Sequence, residues 1–132
     1  MFFSSHVADY TSTSSDSVFI APFPLKITSV RLLQWSSATG IVASDIDYWD
    51  IRPSRTPAGS SGAGAVDIAA KTTKVTGGEA IGYRTAWSFD NIAFNESAAT
   101  FALNDVFWLA AYKTGAPLNL AKVKVTVGYS PL

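Results

Sequence analysis

The acidic residues of the chain are scattered except for one cluster, in which Asp45, Asp47 and Asp50 follow one another closely. In an extended strand, Asp45 and Asp47 project from the same face, close enough together to share a hard cation such as calcium. Calcium requires about six to eight oxygen ligands, however, and no glycine-kinked loop accompanies the cluster. Because Arg52 and Arg55 follow directly, solvated or arginine-paired carboxylates are the simpler interpretation, and we predict no metal site.

His6 is the only histidine of the chain, and it lies in a polar N-terminal stretch. A catalytic base must be held rigidly within hydrogen-bonding distance of its nucleophile, which this position does not favour. The sequence also contains no G-x-S-x-G motif, no phosphate-binding loop and no histidine pair for zinc. We therefore predict no catalytic residue, no cofactor and no enzymatic activity.

Aromatic residues supply another candidate chemistry, which is stacking against sugar rings. The residues concerned are Trp35, Trp49, Trp87, Trp108, Tyr48, Tyr83, Tyr112 and Tyr129. Aromatic side chains within strand patterns more often fill a core, because each of them buries a large apolar area. The segments around Trp87 and Trp108 fit core packing, and a carbohydrate-binding surface is retained as an alternative.

The composition of the 132 residues indicates one folded domain. Hydrophobic residues make up 48% of the chain and charged residues 15%, which gives ample apolar surface to offset the entropy lost on folding. The formal net charge is zero, so no basic surface for nucleic acid or an anionic membrane is expected. Apolar runs such as residues 18–23 and 106–112 are too short to span a membrane. Weak charge repulsion favours self-association.

Most of the chain alternates between short β-type runs and turn residues. Residues 1–17 are predicted to form a flexible polar arm, either a frayed terminus or a segment that becomes ordered on a neighbouring subunit, and residues 18–132 a single β-sandwich domain. The predicted strands cover residues 18–23, 25–35, 45–52, 65–75, 80–89, 106–113 and 120–129. Residues 53–65 are expected to form a long loop, Gly77 and Gly78 a hairpin turn, and residues 91–99 a short helical turn. The sequence thus predicts an all-β antiparallel β-sandwich or jelly roll of seven or eight strands.

Two segments of the sequence resemble a known family. They are APFPLKITSVRLL at residues 21–33 and LNDVFWLAAYKTGAPLNLAKVKVTVGY at residues 103–129. The first is similar to the opening strands, and the second to the closing strands, of the small jelly-roll proteins that decorate or cement the capsids of tailed bacteriophages.

The resemblance implies a structural virion protein on the outer capsid surface. Such a protein is a homo-oligomer, often a homotrimer, that binds the major capsid protein and stabilises the lattice by bridging its subunits. Residues 1–17 and 53–64 would then be the best candidates for contact. The alternative function is a carbohydrate- or host-surface-binding module of a phage tail or fibre.

Overall fold

The computed structural model describes residues 1–34, 40–60 and 64–132, with the backbone alone for residues 3–8. Its regular structure is almost entirely β, as expected for segments rich in branched and aromatic residues that are separated by Gly and Pro. The ten strands, in chain order, are β1 (Phe2–Tyr10), β2 (Ser14–Ile20), β3 (Leu25–Gln34), β4 (Tyr48–Thr56), β5 (Val66–Asp67), β6 (Lys71–Thr72), β7 (Trp87–Ser88), β8 (Thr100–Phe101), β9 (Val106–Thr114) and β10 (Leu120–Pro131). One helical turn, α1 (Glu96–Ala99), precedes β8. This turn confirms the prediction for residues 91–99.

The strands form two antiparallel sheets that pack face to face. The first sheet has the order β1-β10-β3-β7, and β8 also pairs with β3. The second sheet has the order β2-β9-β4-β5, and β6 also pairs with β4. The predicted all-β antiparallel sandwich is therefore confirmed. The described residues form ten strands instead of seven or eight because β5, β6, β7 and β8 contain two residues each.

The core lies between the inner faces of the two sheets. Strand β10 shows how the sequence specifies this, since Val123, Val125 and Val127 are buried while Lys122 and Lys124, which alternate with them, are exposed. Over residues 122–127 this is the period-2 pattern predicted for residues 120–129. It ends at Gly128, which was expected to face solvent and is buried, where the register with β3 shifts. Aromatic rings fill the space near the end of β2, where the Phe19 ring stacks on the rings of Phe101 and Phe107 with centroids 6.0 and 5.1 Å away.

The prediction that residues 1–17 form a flexible arm is wrong. Strand β1 pairs with β10 along its length, and β2 pairs with β9, so both are edge strands of the sandwich. The core includes Tyr10, which is only 1% exposed. Edge strands need few apolar residues because their outer faces meet solvent, and the exposed Ser15 and Ser17 of β2 are examples. Backbone hydrogen bonds, which leave no mark in a hydropathy pattern, hold these strands in place.

Strand β4 lies further along the chain than predicted. It begins at Tyr48 and continues through Pro53 to Thr56, so the loop expected over residues 53–65 begins later. Both β5 and β6 pair with β4, but neither pairs with it at Pro53. The Pro53 carbonyl accepts a hydrogen bond from the Ile68 amide there, and a proline, which has no N–H, is tolerated at such a gap. No backbone donor is needed from Pro53 at that point.

The predicted hairpin through Gly77 and Gly78 is also wrong. Strand β6 before these glycines pairs with β4 in the second sheet, whereas β7 after them pairs with β3 in the first sheet. Gly77 does lie in a turn with a φ of 82°, as its residue type suggests. The turn carries the chain from the second sheet to the first. Which sheet the following strand joins depends on which strand has an unpaired edge, and the local sequence does not show this.

Candidate functional surfaces

The carboxylates of Asp45 and Asp47 cap backbone groups of neighbouring loops. Both residues precede β4, so they do not lie on one strand as predicted. An Oδ1 atom of Asp45 accepts a hydrogen bond of 2.9 Å from the Thr76 amide, and this bond lowers the pKa of Asp45. The Oδ1 atom of Asp47 accepts one of 2.7 Å from the Ala116 amide. Within the described part of the chain, no three acidic or histidine side chains are grouped so that they could hold a metal ion.

Asp50, the third member of the acidic cluster, pairs with an arginine, as the simpler interpretation predicts. Arg52 donates from Nη2 to Asp50 at 2.9 Å and from Nη1 to Asp67 at 3.0 Å. The same guanidinium lies over the Tyr112 ring, 5.4 Å from its centre. Hydrogen bonds from Asp50 and then Asp67 raise the pKa of Arg52 above its ordinary value. These four residues form a fixed polar group on the outer face of the second sheet.

The tryptophans divide between the core and the outer surface. Trp49 and Trp87 are buried, and Trp35 lies outside the described residues. The prediction that Trp108 packs in the core is wrong, because its neighbours Phe107 and Leu109 face inward together with Ala111. Trp108 itself is half-buried on the outer face, between Ser17 of β2 and Ser54 of β4.

The tyrosines show the same division. Tyr48 and Tyr129 are half-buried, whereas Tyr83 and Tyr112 are exposed. Tyr112 and Trp108, two of the sugar-stacking candidates, lie on the same strand and on the same outer face. The signal was present in the sequence, because residues 108, 110 and 112 share a face in any strand over 106–113.

An open depression of about 350 Å³ lies on this outer face. Its lining residues are Ser15, Ser54, Thr56, Ala65, Asp67, Trp108, Ala110 and Tyr112. Ala110 occupies the middle of the row formed by β9, and its cross-strand neighbours are Ser15 and Arg52. The small Ala110 side chain between two large rings explains why the surface is concave at this point.

The two segments expected to make contacts are both partly anchored. His6 pairs through its backbone with Val125, within β1, so residues 1–17 are built into the sandwich. The loop after β4 is held at Ala58, whose amide donates a 2.9 Å hydrogen bond to the Asp105 carboxylate. Residues 61–63 of the predicted contact loop lie outside the described residues.

Exposed large apolar side chains of the described residues concentrate at the two ends of the sandwich. The terminal end, which holds both chain termini, carries Met1, Phe2, Ile20, Leu103 and Leu132. The distal end, opposite to it, carries Val42, Ile46, Val75 and Leu118.

Hydrogen bonds between loops hold each of these groups together. At the terminal end, the Asn104 amide donates to Ala21, and the Leu132 amide donates to Pro24. At the distal end, Trp49 donates from Nε1 to the Leu118 carbonyl at 2.9 Å. Since a strand rises about 3.4 Å per residue, the nine residues of β4 separate the two ends by about 30 Å.

Comparison with known proteins gives no relative for this chain. No family model, no curated protein and no solved structure matches it. In the part of the chain that the structure describes, no helix is long and apolar enough to cross a bilayer. The surfaces of the sandwich are therefore the basis for a functional proposal.

Proposed function

We propose that this chain is a capsid decoration protein of a tailed bacteriophage, which binds the major capsid protein and bridges neighbouring subunits of the outer lattice. The observation that carries the proposal is the placement of exposed apolar side chains at two opposite ends of one stiff sandwich. A bridging protein needs two separated contact surfaces on a scaffold that does not bend. It needs no catalytic group.

The energetics of the two ends suit this role. Full burial of one large apolar side chain contributes about 1.5–3 kcal/mol. Association costs about 4–15 kcal/mol in lost translational and rotational freedom, so the four or five side chains of one end, only partly buried in a contact, would bind weakly by themselves. Occupation of one end raises the effective concentration of the other at an adjacent lattice position, and the combined binding is then much tighter. Such avidity favours an assembled lattice over free capsid subunits.

The resemblance to the decoration proteins adds support from the sequence. Its two segments form β3, β9 and β10, which are three of the four interior strands of the sheets. The jelly-roll family, the homotrimer and the location on the virion surface are parts of the same proposal. Sedimentation equilibrium tests the trimer, for which we expect three times the 14.0 kDa chain mass.

Co-sedimentation with capsids tests the function. Capsids would be assembled from the major capsid protein encoded in the same genome and mixed with the purified chain. We expect saturable binding, and greater resistance of the decorated capsids to heat. Failure to bind under all conditions of salt and capsid maturation would overturn the proposal.

Substitutions at the two ends separate bridging from simple attachment. The terminal end would be altered by Ile20→Ser with Leu103→Ser, and the distal end by Ile46→Ser with Leu118→Ser. We expect each pair to weaken capsid binding at least tenfold, because either change removes one of two linked contacts. Tyr112→Ser, which alters an exposed aromatic residue on the outer sheet face, away from both groups, is the matched control. Equal binding by all three variants would contradict bridging through the ends.

A further inference from the structure

We propose that the depression on the outer face of the second sheet binds a neutral sugar residue of a glycan. This inference goes beyond capsid attachment and does not depend on it, because the depression lies on a sheet face and the apolar groups lie at the two ends. A decoration protein with such a site would present it to the surroundings of the particle.

The shape of the depression suits a sugar ring. Trp108 and Tyr112 are four residues apart on one strand, which places their Cα atoms about 13–14 Å apart. Ala110 between them is 8% exposed and forms the floor. The volume of the depression, about 350 Å³, lies at the lower end of the range for small-ligand sites, which is about 300–1,000 Å³. A pyranose ring presents a flat apolar C–H face, which an aromatic ring can cover.

The polar groups beside the floor are already oriented. The Arg52 guanidinium makes two hydrogen bonds to Asp50 and one to Asp67, and it lies over Tyr112. A guanidinium carries more N–H donors than these three bonds use, and each carboxylate can accept further hydrogen bonds. Donors and acceptors that are fixed before binding lose little entropy when vicinal hydroxyl groups bind them.

The charge of this group favours a neutral ligand over an anionic one. Arg52 is already shared between two carboxylates, so the three side chains together carry an excess negative charge. A phosphate, a sulfate or a nucleic acid backbone requires a cation that is available to it. The exposed Ser15 and Ser17 hydroxyl groups add only neutral donors along β2. Hydroxyl-rich, uncharged sugars are the ligand class that these groups fit.

Binding would be tested with the full chain on an array of neutral oligosaccharides of glucose, galactose, mannose and N-acetylglucosamine. Sugars that bind on the array would then be titrated against the protein by calorimetry. We expect saturable binding in the micromolar to millimolar range and weakening of at least tenfold in Tyr112→Ala. Tyr112 is 46% exposed, so its removal leaves the core intact. Tyr83→Ala is the matched control, since Tyr83 is 39% exposed and does not line the depression.

Ala110→Leu supplies a second, independent test. The larger side chain fills the floor while both aromatic rings and Arg52 remain, so we expect loss of sugar binding with an unchanged circular dichroism spectrum. The proposal is overturned if none of these sugars binds at concentrations up to about 10 mM, which exceeds the dissociation constants expected here. It is equally overturned if a sugar binds but Tyr112→Ala and Ala110→Leu both bind it as the parent chain does. Capsid binding by the same variants is expected to be unchanged.

Discussion

The ammonium group of Lys71 lies 4.7 Å from the centre of the Trp87 ring, although these two residues belong to different sheets. Its Nζ atom also donates a 2.5 Å hydrogen bond to the Ser88 carbonyl and forms an ion pair with Glu79. The Lys71 side chain is 4% exposed, whereas that of Glu79 is 57% exposed. Lys71 therefore fastens the two sheets together on the side away from β1 and β2.

We expect Lys71→Ala to lower the free energy of unfolding by about 2–4 kcal/mol, since it removes a desolvated cation–π contact and a buried hydrogen bond. Urea denaturation followed by tryptophan fluorescence measures this loss. Glu79→Gln is the control, and we expect it to cost less than about 1 kcal/mol because Glu79 remains in solvent. Equal losses in the two variants would show that Lys71 does not join the sheets.

Asp105 is a nearly buried carboxylate that organises three segments of the chain. It accepts hydrogen bonds of 2.9 Å from the amides of Ala102 and Ala58 and one of 3.0 Å from Arg55. Burial by itself would raise the pKa of Asp105, but these donors outweigh burial and hold its pKa below the ordinary value. The turn before β9 and the loop after β4 are thereby joined at the terminal end.

We expect Asp105→Asn to destabilise the fold by about 2–4 kcal/mol at pH 7, since two amides and a guanidinium lose their charged acceptor. The folded pKa lies below the unfolded value of about 3.9, so this stabilisation is present above that value and is lost as the pH falls through the folded pKa. Unfolding measured from pH 7 to pH 2 should show the gap between the parent and Asp105→Asn closing below about pH 4. Asp90→Asn, which alters a carboxylate on the surface, should show a smaller gap throughout. A gap for Asp105→Asn that is constant with pH would contradict this role.

The sequence was sufficient to predict the fold class and the last two long strands. In β10 the alternation of valine and lysine matches burial residue by residue, because one face of that strand is core and the other is solvent. The prediction that Trp108 packs in the core failed because its part of β9 lacks such an alternation. Flanked by apolar residues on both sides, it gives no alternation to show that it faces outward.

The edges of the sandwich and the candidate sugar site could not be predicted in the same way. Strand β1 is held by backbone pairing with β10, more than one hundred residues later in the chain, and hydropathy carries no information on such pairing. The meeting of Arg52 with Asp67 depends on β4 pairing with β5, which the predicted loop over residues 53–65 excluded. Local patterns therefore identified the strands with buried faces, while long-range pairing determined the surfaces.

Gly115 offers a test of how closely the distal end is packed. Its φ is 69°, and a Cβ atom at this position would lie 2.5 Å from the Ile46 carbonyl oxygen and nearer still to the Asp47 carboxylate. Gly115→Ala should therefore cost about 2–4 kcal/mol, from left-handed backbone strain together with displacement of Asp47. Gly59→Ala is the matched control, because Gly59 has a φ of 75° with no atom within 4 Å of the added Cβ. We expect about 1 kcal/mol there, and equal costs in thermal denaturation would contradict close packing at Gly115.

Tyr10 decides whether the N-terminal residues belong to the fold in solution. It ends β1 opposite Leu120 and is 1% exposed, so Tyr10→Ala should lower the free energy of unfolding by about 3–5 kcal/mol. Tyr83→Ala, at an exposed tyrosine, should change it by less than about 0.5 kcal/mol. Hydrogen exchange gives an independent measurement, since amides of β1 that are bonded to β10 should exchange much more slowly than those of an arm in solvent. Rapid exchange throughout residues 2–10, together with an unchanged free energy of unfolding in Tyr10→Ala, would show that these residues form a flexible arm in solution.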